Sequence, residues 1–264
     1  MRIAVLGGGV MGEALIVGFQ RRVTPAPQIV VAEKRADRAA DLVARLGVEI
    51  APLETACTDA DVVIVVVKPQ DIRPVVEAIA PSVAPGALVI SIAAGITTAS
   101  IEGVLPDAHV VRAMPNTPAR IESGVTGLSA GARCPEGSLA RAAELMSAVG
   151  AVIEVPESLQ DAVTAVSGSG PAYVFALAEA MLAGAREVGL PEDAARTAVV
   201  QTLLGAARLL DASGEDPAVL RANVTSPNGT TAAALAVFAD RDLRGTVVAA
   251  IEAARDRSRE LSSS

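Results

Sequence analysis

The chain has 264 residues, of which 51% are hydrophobic and 2% aromatic, and 30 acidic against 22 basic side chains give it a net charge of −8. This length accommodates one large domain or two modest ones with a buried core, which excludes a disordered chain. The acidic balance and the scarcity of aromatic rings argue against a nucleic-acid partner. Apolar runs such as 62–67 fall far short of the ~20 residues of a membrane span, so we expect a cytoplasmic protein without a membrane segment.

The residues that usually hold metals or disulfides are scarce. Cys57 and Cys134 are the two cysteines, and they lack the spacing of a disulfide framework or a zinc site. His109 is the only histidine, so we expect no metal centre. Lys34 and Lys68 are the only lysines, which restricts any lysine chemistry to two positions.

The first part of the chain, 1–155, alternates short β-branched apolar runs with alanine-rich stretches. This pattern is typical of βαβ units around a parallel sheet. Several of the runs are apolar throughout, as expected for strands that helices cover on both faces. The predicted strands are 3–6, 29–32, 62–67, 87–92, 110–113, 125–128 and 151–155.

A glycine-rich segment, GGGVMG at 7–12, follows the first predicted strand and opens a helical run over 13–20. It fits the pattern GxGxxG in the strand–turn–helix context that a dinucleotide fingerprint requires. Gly7 permits the tight turn, Gly9 lets the backbone approach a pyrophosphate, and Gly12 allows close packing of helix on strand. The segment therefore predicts a nicotinamide or flavin dinucleotide on the helix N-terminus.

The type of dinucleotide depends on the end of the second predicted strand. Glu33 stands where an acid binds the ribose 2′-hydroxyl of NADH, whereas Lys34 and Arg35 could clamp the 2′-phosphate of NADPH. The two adjacent cations are a stronger signal for NADPH than the one carboxylate is for NADH, because the carboxylate can pair with those cations. We therefore expect NADPH, with NADH as the alternative.

Three further motifs follow predicted strands, at the edge where sheets of this kind bind ligands. They are VVKPQ at 66–70, SIAAGI at 91–96 and RAMPNTPA at 112–119.

Beyond about Leu159 the strand signal stops and long apolar helical segments follow, predicted over 172–188, 191–211, 229–239 and 242–261. Helices that are apolar on most sides must be buried, which predicts an intertwined homodimer or larger assembly. An alanine-rich monomeric bundle is the alternative. Within this part, VTSPNGTT at 224–231 is a polar turn that leads into a helix. Its N–H groups and threonine hydroxyls could seat a carboxylate.

Taken together, these motifs resemble the pyrroline-5-carboxylate reductase family, the last enzyme of proline biosynthesis. The resemblance also includes AVSGSGPAYVF at 165–175, QT at 201–202 and AAAL at 232–235, so it covers nearly the whole chain in the correct order. It implies an α/β Rossmann-type dinucleotide-binding domain over 1–156, followed by an all-α C-terminal substrate-binding and dimerisation domain over 157–264. The implied assembly is a homodimer or a larger homo-oligomer, up to a decamer.

The resemblance also implies which residues bind the ligands. The cofactor contacts are Leu6, Gly7, Gly8, Gly9, Val10 and Met11, with Gly12 from the glycine motif, and Lys34, Arg35, Val66, Lys68, Ala94 and Asn223. The carboxylate of 1-pyrroline-5-carboxylate is implied to bind the backbone of Ser226, Gly229, Thr230 and Thr231. The Thr231 hydroxyl is implied to lie near the ring nitrogen and is the catalytic candidate.

One residue departs from the family pattern. The family usually has SPGGTT, whereas Asn228 replaces the first glycine here. Asparagine tolerates a positive φ better than other non-glycine residues, so we expect the turn to survive.

Two rival functions deserve comparison. A β-hydroxyacid dehydrogenase shares the predicted architecture but uses a lysine on a helix of its second domain, and no lysine follows Lys68. A non-enzymatic NADP(H)-binding regulator would be indicated by loss of the substrate turn, yet 226–231 retains it with one substitution.

Overall fold

The computed structural model describes residues 1–262, which form two compact units. One unit comprises Met1–Ser169 together with 254–262, and the other is Gly170–Ala253. The last turns of the chain join the first unit, where the Ser258 hydroxyl donates a hydrogen bond to Asp161 at 2.7 Å. The predicted domain bounds, 1–156 and 157–264, stay a prediction.

An eight-stranded sheet forms the centre of the first unit, in the order β3-β2-β1-β4-β5-β6-β7-β8. The strands are β1 Arg2–Leu6, β2 Gln28–Ala32, β3 Glu49–Ile50, β4 Val62–Val65, β5 Leu88–Ser91, β6 His109–Met114, β7 Gly124–Ala130 and β8 Gly150–Glu154. Each predicted strand is present. The two-residue β3 was not predicted, because so short a segment shows no periodicity.

The sheet is parallel as expected except at one place, where β7 pairs antiparallel with β6. A parallel neighbour needs a crossover of a dozen or more residues. The segment between these two strands holds only a short 3-10 helix, Thr117–Ile121, so the chain turns back directly.

The sheet is covered on both faces because successive side chains of a strand point to opposite sides. Ile3 and Val5 belong to one apolar core, whereas Ala4 and Leu6 belong to the other. The helices of this unit are α1 Val10–Arg22, α2 Ala36–Leu46, α3 Leu53–Cys57, α4 Ile72–Ile79, α5 Thr98–Glu102, α6 Ser138–Met146 and α7 Gln160–Val163. Side chains of α1, α2 and α6 fill the first core, and those of α3, α4 and α5 fill the second.

The second unit is all-helical, which confirms the predicted fold class. Its helices are α8 Gly170–Glu187, α9 Glu192–Ser213, α10 Pro217–Asn223 and α11 Thr230–Asp240, and it contains most of α12, Leu243–Ser262. The seven-residue α10 was not predicted. Large apolar side chains remain exposed along these helices, such as Phe175 at 63% and Phe238 at 48%. Apolar faces of this kind are expected where a second chain packs.

None of the helices within residues 1–262 combines the length and apolar character needed to cross a membrane. In the same part of the chain, no group of three or more His, Cys, Asp or Glu side chains is arranged to hold a metal ion.

Candidate active site

The order of the strands reverses at β1, because β2 lies on one side of it and β4 on the other. In sheets of this kind, ligands bind at such a switch point, outside the carboxyl ends of the strands. The glycine-rich turn follows β1, the segment with Lys34 and Arg35 follows β2, and Val66 to Lys68 follow β4. The topology thus brings three predicted motifs to one edge.

Two glycines of the glycine-rich turn, Gly7 and Gly12, could not carry a side chain unless nearby backbone moved. Gly7 has φ +116°, and a Cβ on it would lie 2.5 Å from the Val66 carbonyl oxygen. A Cβ on Gly12 would overlap the carbonyl of Gly7. At Gly9, by contrast, a Cβ would meet no atom within 4 Å. Gly9 therefore faces open space, as the predicted approach of a pyrophosphate requires.

Helix α1 begins directly after this open position. Gly9 is its N-cap residue, without a side-chain cap, and the first helical bond runs from the Glu13 N–H to the Gly9 carbonyl at 2.9 Å. The N–H groups of the first turn consequently have no acceptor within the helix. This arrangement can bind an anion.

A cleft of about 730 Å³ lies at the same edge of the sheet. Of the predicted cofactor residues, those that line it are Leu6, Gly7, Gly9, Lys34, Arg35, Val66 and Lys68. The open backbone at Gly9, the apolar walls and the two cations near the end of β2 fit a phosphorylated dinucleotide. The assignment of each of these residues to the cofactor stays a prediction.

The remaining predicted cofactor residues lie elsewhere. Gly8 lies against the Leu42 and Glu33 side chains, and Gly12 lies against the Gly7 carbonyl. Val10 is exposed, and Met11 packs against the core. Ala94 is half-buried in the loop after β5. Asn223 ends α10 in the second unit and is exposed.

Glu33, Val67 and Gln70, which belong to segments singled out in the sequence, also line the cleft. The lining residues that the sequence reasoning missed include Ala51, Pro52, Leu53, Asp71, Pro74 and Val75. Asp71 adjoins the VVKPQ motif, which was a usable signal. The others come from the segment after β3 and from α4, and they carry no ligand-binding pattern.

Glu33 is directed toward the glycine-rich turn. Its Oε2 accepts a hydrogen bond from the Gly8 N–H at 3.0 Å, and its Oε1 accepts one from the Arg35 N–H at 2.9 Å. The side chain is only 9% exposed. Both oxygens are therefore engaged by this chain's own backbone, while the Arg35 side chain is 58% exposed at the cleft.

Neither the SIAAGI motif nor the RAMPNTPA motif lines the cleft, and side chains of the second motif support loops instead. Glu157 accepts hydrogen bonds from the N–H and hydroxyl of Thr98, both at 2.7 Å, and its Oε1 lies 3.6 Å from Nη1 of the buried Arg112. Asn116 donates to the Ser167 carbonyl at 3.1 Å and accepts from the Val125 N–H at 2.9 Å. These side chains tie loops of the first unit together.

In the first unit, burial shifts the pKa of Cys57, and neighbouring arginines shift the pKa of Glu122. Burial, and then the Glu54 carboxylate, raise the pKa of the Cys57 thiol to about 12, so it stays protonated. Hydrogen bonds from Arg22 and Arg21 lower the pKa of Glu122. Neither group lines the cleft.

In the second unit, the predicted substrate turn is intact despite Asn228. Asn228 adopts the left-handed conformation at φ +58°, and the Gly229 N–H donates to the Ser226 carbonyl at 3.1 Å. A Cβ on Gly229 would overlap the Ser226 hydroxyl in its present position, so the two residues are in close contact within the turn. Helix α11 begins at Thr230 without a side-chain cap, and Thr231 is half-buried in its first turn. The N–H groups of Thr230 and Thr231 can therefore donate hydrogen bonds to an anion.

Comparison with known proteins covers both parts of the chain. The family model described as pyrroline-5-carboxylate reductase dimerisation matches residues 157–261. A second model, described as NADP oxidoreductase, coenzyme F420-dependent, matches residues 2–95.

Similar proteins extend over the full length. The pyrroline-5-carboxylate reductase of Pseudomonas aeruginosa is 43% identical over 98% of this chain and 96% of its own. The solved structure of the Coxiella burnetii enzyme of that name has a TM-score of 0.93 at 36% identity, covering 98% of both chains. The Plasmodium falciparum pyrroline carboxylate reductase with NADP bound shares the fold, with a TM-score of 0.87 at 24% identity, covering 99% of this chain and 98% of its own. The chain belongs to the pyrroline-5-carboxylate reductase family.

Proposed function

We propose that this protein reduces 1-pyrroline-5-carboxylate to L-proline with NADPH, as the last step of proline biosynthesis. Full-length membership of the pyrroline-5-carboxylate reductase family carries the proposal. The two compact units support it separately. One holds an open glycine-rich turn at a switch point of the sheet, and the other holds an uncapped helix N-terminus suited to a carboxylate.

The reaction demands positioning more than acid–base catalysis. NADPH, when bound, supplies the hydride that adds to the C5 carbon of the cyclic C=N bond. A protonated imine is already electrophilic, so the protein has mainly to orient the reactants and exclude water. A chain with one histidine suits this requirement.

The substrate turn supplies the groups that would orient the ring. The first-turn N–H groups of α11 would hold the substrate carboxylate, with the helix dipole adding to the attraction. The Thr231 hydroxyl would hydrogen-bond the ring nitrogen. A threonine hydroxyl is a very weak acid, so we assign it orientation and leave the supply of the proton to solvent.

The preference for NADPH is supported by the end of β2. Lys34 and Arg35 line the cleft, where they could pair with a 2′-phosphate. Glu33 also lines the cleft, but each of its oxygens already accepts a backbone N–H group, so we assign the choice of cofactor to Lys34 and Arg35.

The family and the exposed apolar helices of the second unit also support a homo-oligomer. Within this proposal the protein is a homodimer that can build larger rings up to a decamer, and it acts in the cytoplasm on a small molecule. The acidic balance supports the absence of a nucleic-acid partner. The helix lengths and compositions support the absence of a membrane partner.

The activity is tested by following the absorbance of the reduced nicotinamide with 1-pyrroline-5-carboxylate and either NADPH or NADH. We expect oxidation of the cofactor with an equal amount of proline formed, and a higher kcat/KM with NADPH. A folded, oligomeric sample that binds NADPH but turns over neither cofactor would contradict the proposal and favour a non-enzymatic regulator.

The double variant Lys34→Ala, Arg35→Ala should raise the Kd of NADPH by about 10- to 100-fold, because charge-assisted hydrogen bonds to the 2′-phosphate would be lost. The Kd of NADH, which lacks the 2′-phosphate, should change by less than about threefold, within the effect of an exposed charge. Fluorescence titration of both cofactors measures the two values.

The matched control is Arg21→Ala, Arg22→Ala, another adjacent cation pair, whose partner is Glu122 away from the cleft. It should leave both Kd values unchanged. Equal weakening of NADPH and NADH in the Lys34, Arg35 variant would refute the phosphate clamp.

A further inference from the structure

The two peptide groups that flank Gly8 are hydrogen-bonded by side chains from one neighbouring segment. Glu33 accepts from the Gly8 N–H, which belongs to the Gly7–Gly8 peptide, at 3.0 Å. The Arg38 Nε donates to the Gly8 carbonyl, which belongs to the Gly8–Gly9 peptide, at 2.7 Å. Glu33 follows β2 and Arg38 lies in α2. One short stretch of chain therefore fixes the orientation of both peptide groups.

Arg38 also connects the Gly8–Gly9 peptide to the first turn of α1. Its guanidinium is ion-paired with Glu13 and, at 2.5 Å, with Asp41, and the side chain is only 16% exposed. Glu13 also pairs with Arg45. A bare carboxylate in that turn would compete for the N-terminal N–H groups and repel an anionic ligand. The arginines neutralise it.

Little room remains for Gly8 to adopt another position. A Cβ on Gly8 would overlap the Leu42 side chain and would lie 3.1 Å from the Glu33 carboxylate. At Gly8 the turn therefore packs against Glu33, which follows β2, and Leu42 of α2, whereas at Gly9 it faces open space.

We propose that Glu33 and Arg38 are positioning residues that hold the two peptide groups flanking Gly8 so that the N–H groups of α1 face the cofactor pyrophosphate, and that Glu33 does not select NADH. The inference rests on the proposed use of a nicotinamide dinucleotide. Glu33 lines the cleft, but each of its oxygens already accepts a backbone N–H group, so we assign the acid at the end of β2 to the glycine-rich turn rather than to the ribose.

The two roles of Glu33 predict different binding patterns. A ribose ligand would matter for NADH and would oppose the 2′-phosphate of NADPH. A positioning residue acts through the pyrophosphate, which both cofactors share. Glu33→Ala should therefore raise the Kd of NADPH and NADH by the same factor, about tenfold for a lost hydrogen bond to a charged group.

Arg38→Ala provides the second test, since Arg38 bonds the Gly8 carbonyl but has no hydrogen bond to Lys34 or Arg35. This variant should raise the Kd of NADPH and the Kd of NADH by the same factor, again about tenfold. Binding of 2′-AMP, which has the 2′-phosphate but no pyrophosphate, should change by less than about twofold, the scale of a negligible contact. A general loss of structure would weaken 2′-AMP as well.

The controls are Glu144→Ala and Arg141→Ala, which remove an exposed acid and an exposed base from α6. Both should bind all three ligands as the natural protein does. Fluorescence titration measures NADPH and NADH, and displacement of NADPH measures 2′-AMP. If Glu33→Ala does not fold, Glu33→Gln replaces it, because glutamine keeps one acceptor and should give a smaller loss that is again equal for both cofactors.

The proposal would be overturned if the Glu33 variant raised the Kd of NADH alone and left the Kd of NADPH unchanged or lower. It would also be overturned if Arg38→Ala raised the Kd of 2′-AMP as much as the Kd of NADPH. These measurements use no 1-pyrroline-5-carboxylate, so they are separate from the test of the activity. A protein that binds both cofactors without turnover would refute the proposed function and still report on Glu33 and Arg38.

Discussion

Replacement of Thr231 by alanine is expected to lower kcat/KM for 1-pyrroline-5-carboxylate by about 10- to 100-fold, the value of a hydrogen bond to a charged group. The side chain lies in the first turn of α11, beside the N–H groups proposed to hold the substrate carboxylate. Alanine keeps those N–H groups and suits a helix, so the loss should be confined to the hydroxyl. The Kd of NADPH should not change.

Thr231→Ser is the matched control, because it restores the hydroxyl and removes only a methyl group. We expect it to retain most of the activity. Steady-state kinetics with varied 1-pyrroline-5-carboxylate, together with cofactor titration, distinguish the cases. Full activity in Thr231→Ala would exclude a role for the hydroxyl, and equal losses in both variants would assign the effect to the methyl group instead.

Replacement of Gly12 by alanine is expected to raise the Kd of NADPH at least about tenfold, because the added Cβ would overlap the Gly7 carbonyl. Alanine ordinarily stabilises a helix by up to about 1 kcal/mol relative to glycine. Here the opposing atom is backbone in the turn after β1, so relief requires α1 to move away from the strand. Such overpacking costs about 1–3 kcal/mol, which exceeds the gain.

The same displacement should lower the melting temperature by a few degrees. Gly103→Ala is the control, since its Cβ would lie at an ordinary 3.4 Å from the nearest atom, with space around it. Thermal unfolding and NADPH titration measure both effects. Unchanged NADPH affinity in a folded Gly12→Ala protein would contradict the assigned role of the close helix–strand contact.

Much of the fold could be predicted from the sequence because its signals are local. The apolar β-branched runs predicted the positions of β1, β2 and β4 to β8, and the alanine-rich segments predicted the helical second part. The glycine-rich turn was equally predictable, since its spacing reflects a steric requirement at Gly7 and Gly12. The two-residue β3 and the direction of β7 escaped prediction, because both depend on pairing between separate segments.

The candidate site also combines features that the sequence predicts with features that depend on the tertiary structure. The sequence by itself determined which residue types follow β1, β2 and β4, and topology rules then predicted that these strand ends meet. Only the tertiary structure decided that Glu33 accepts from the Gly8 N–H, that Arg38 donates to the Gly8 carbonyl, and that Pro74 and Val75 complete the cleft. The physical reason is that a side chain's partner is set by distance in space. Strand and helix periodicity, by contrast, are set by neighbours along the chain.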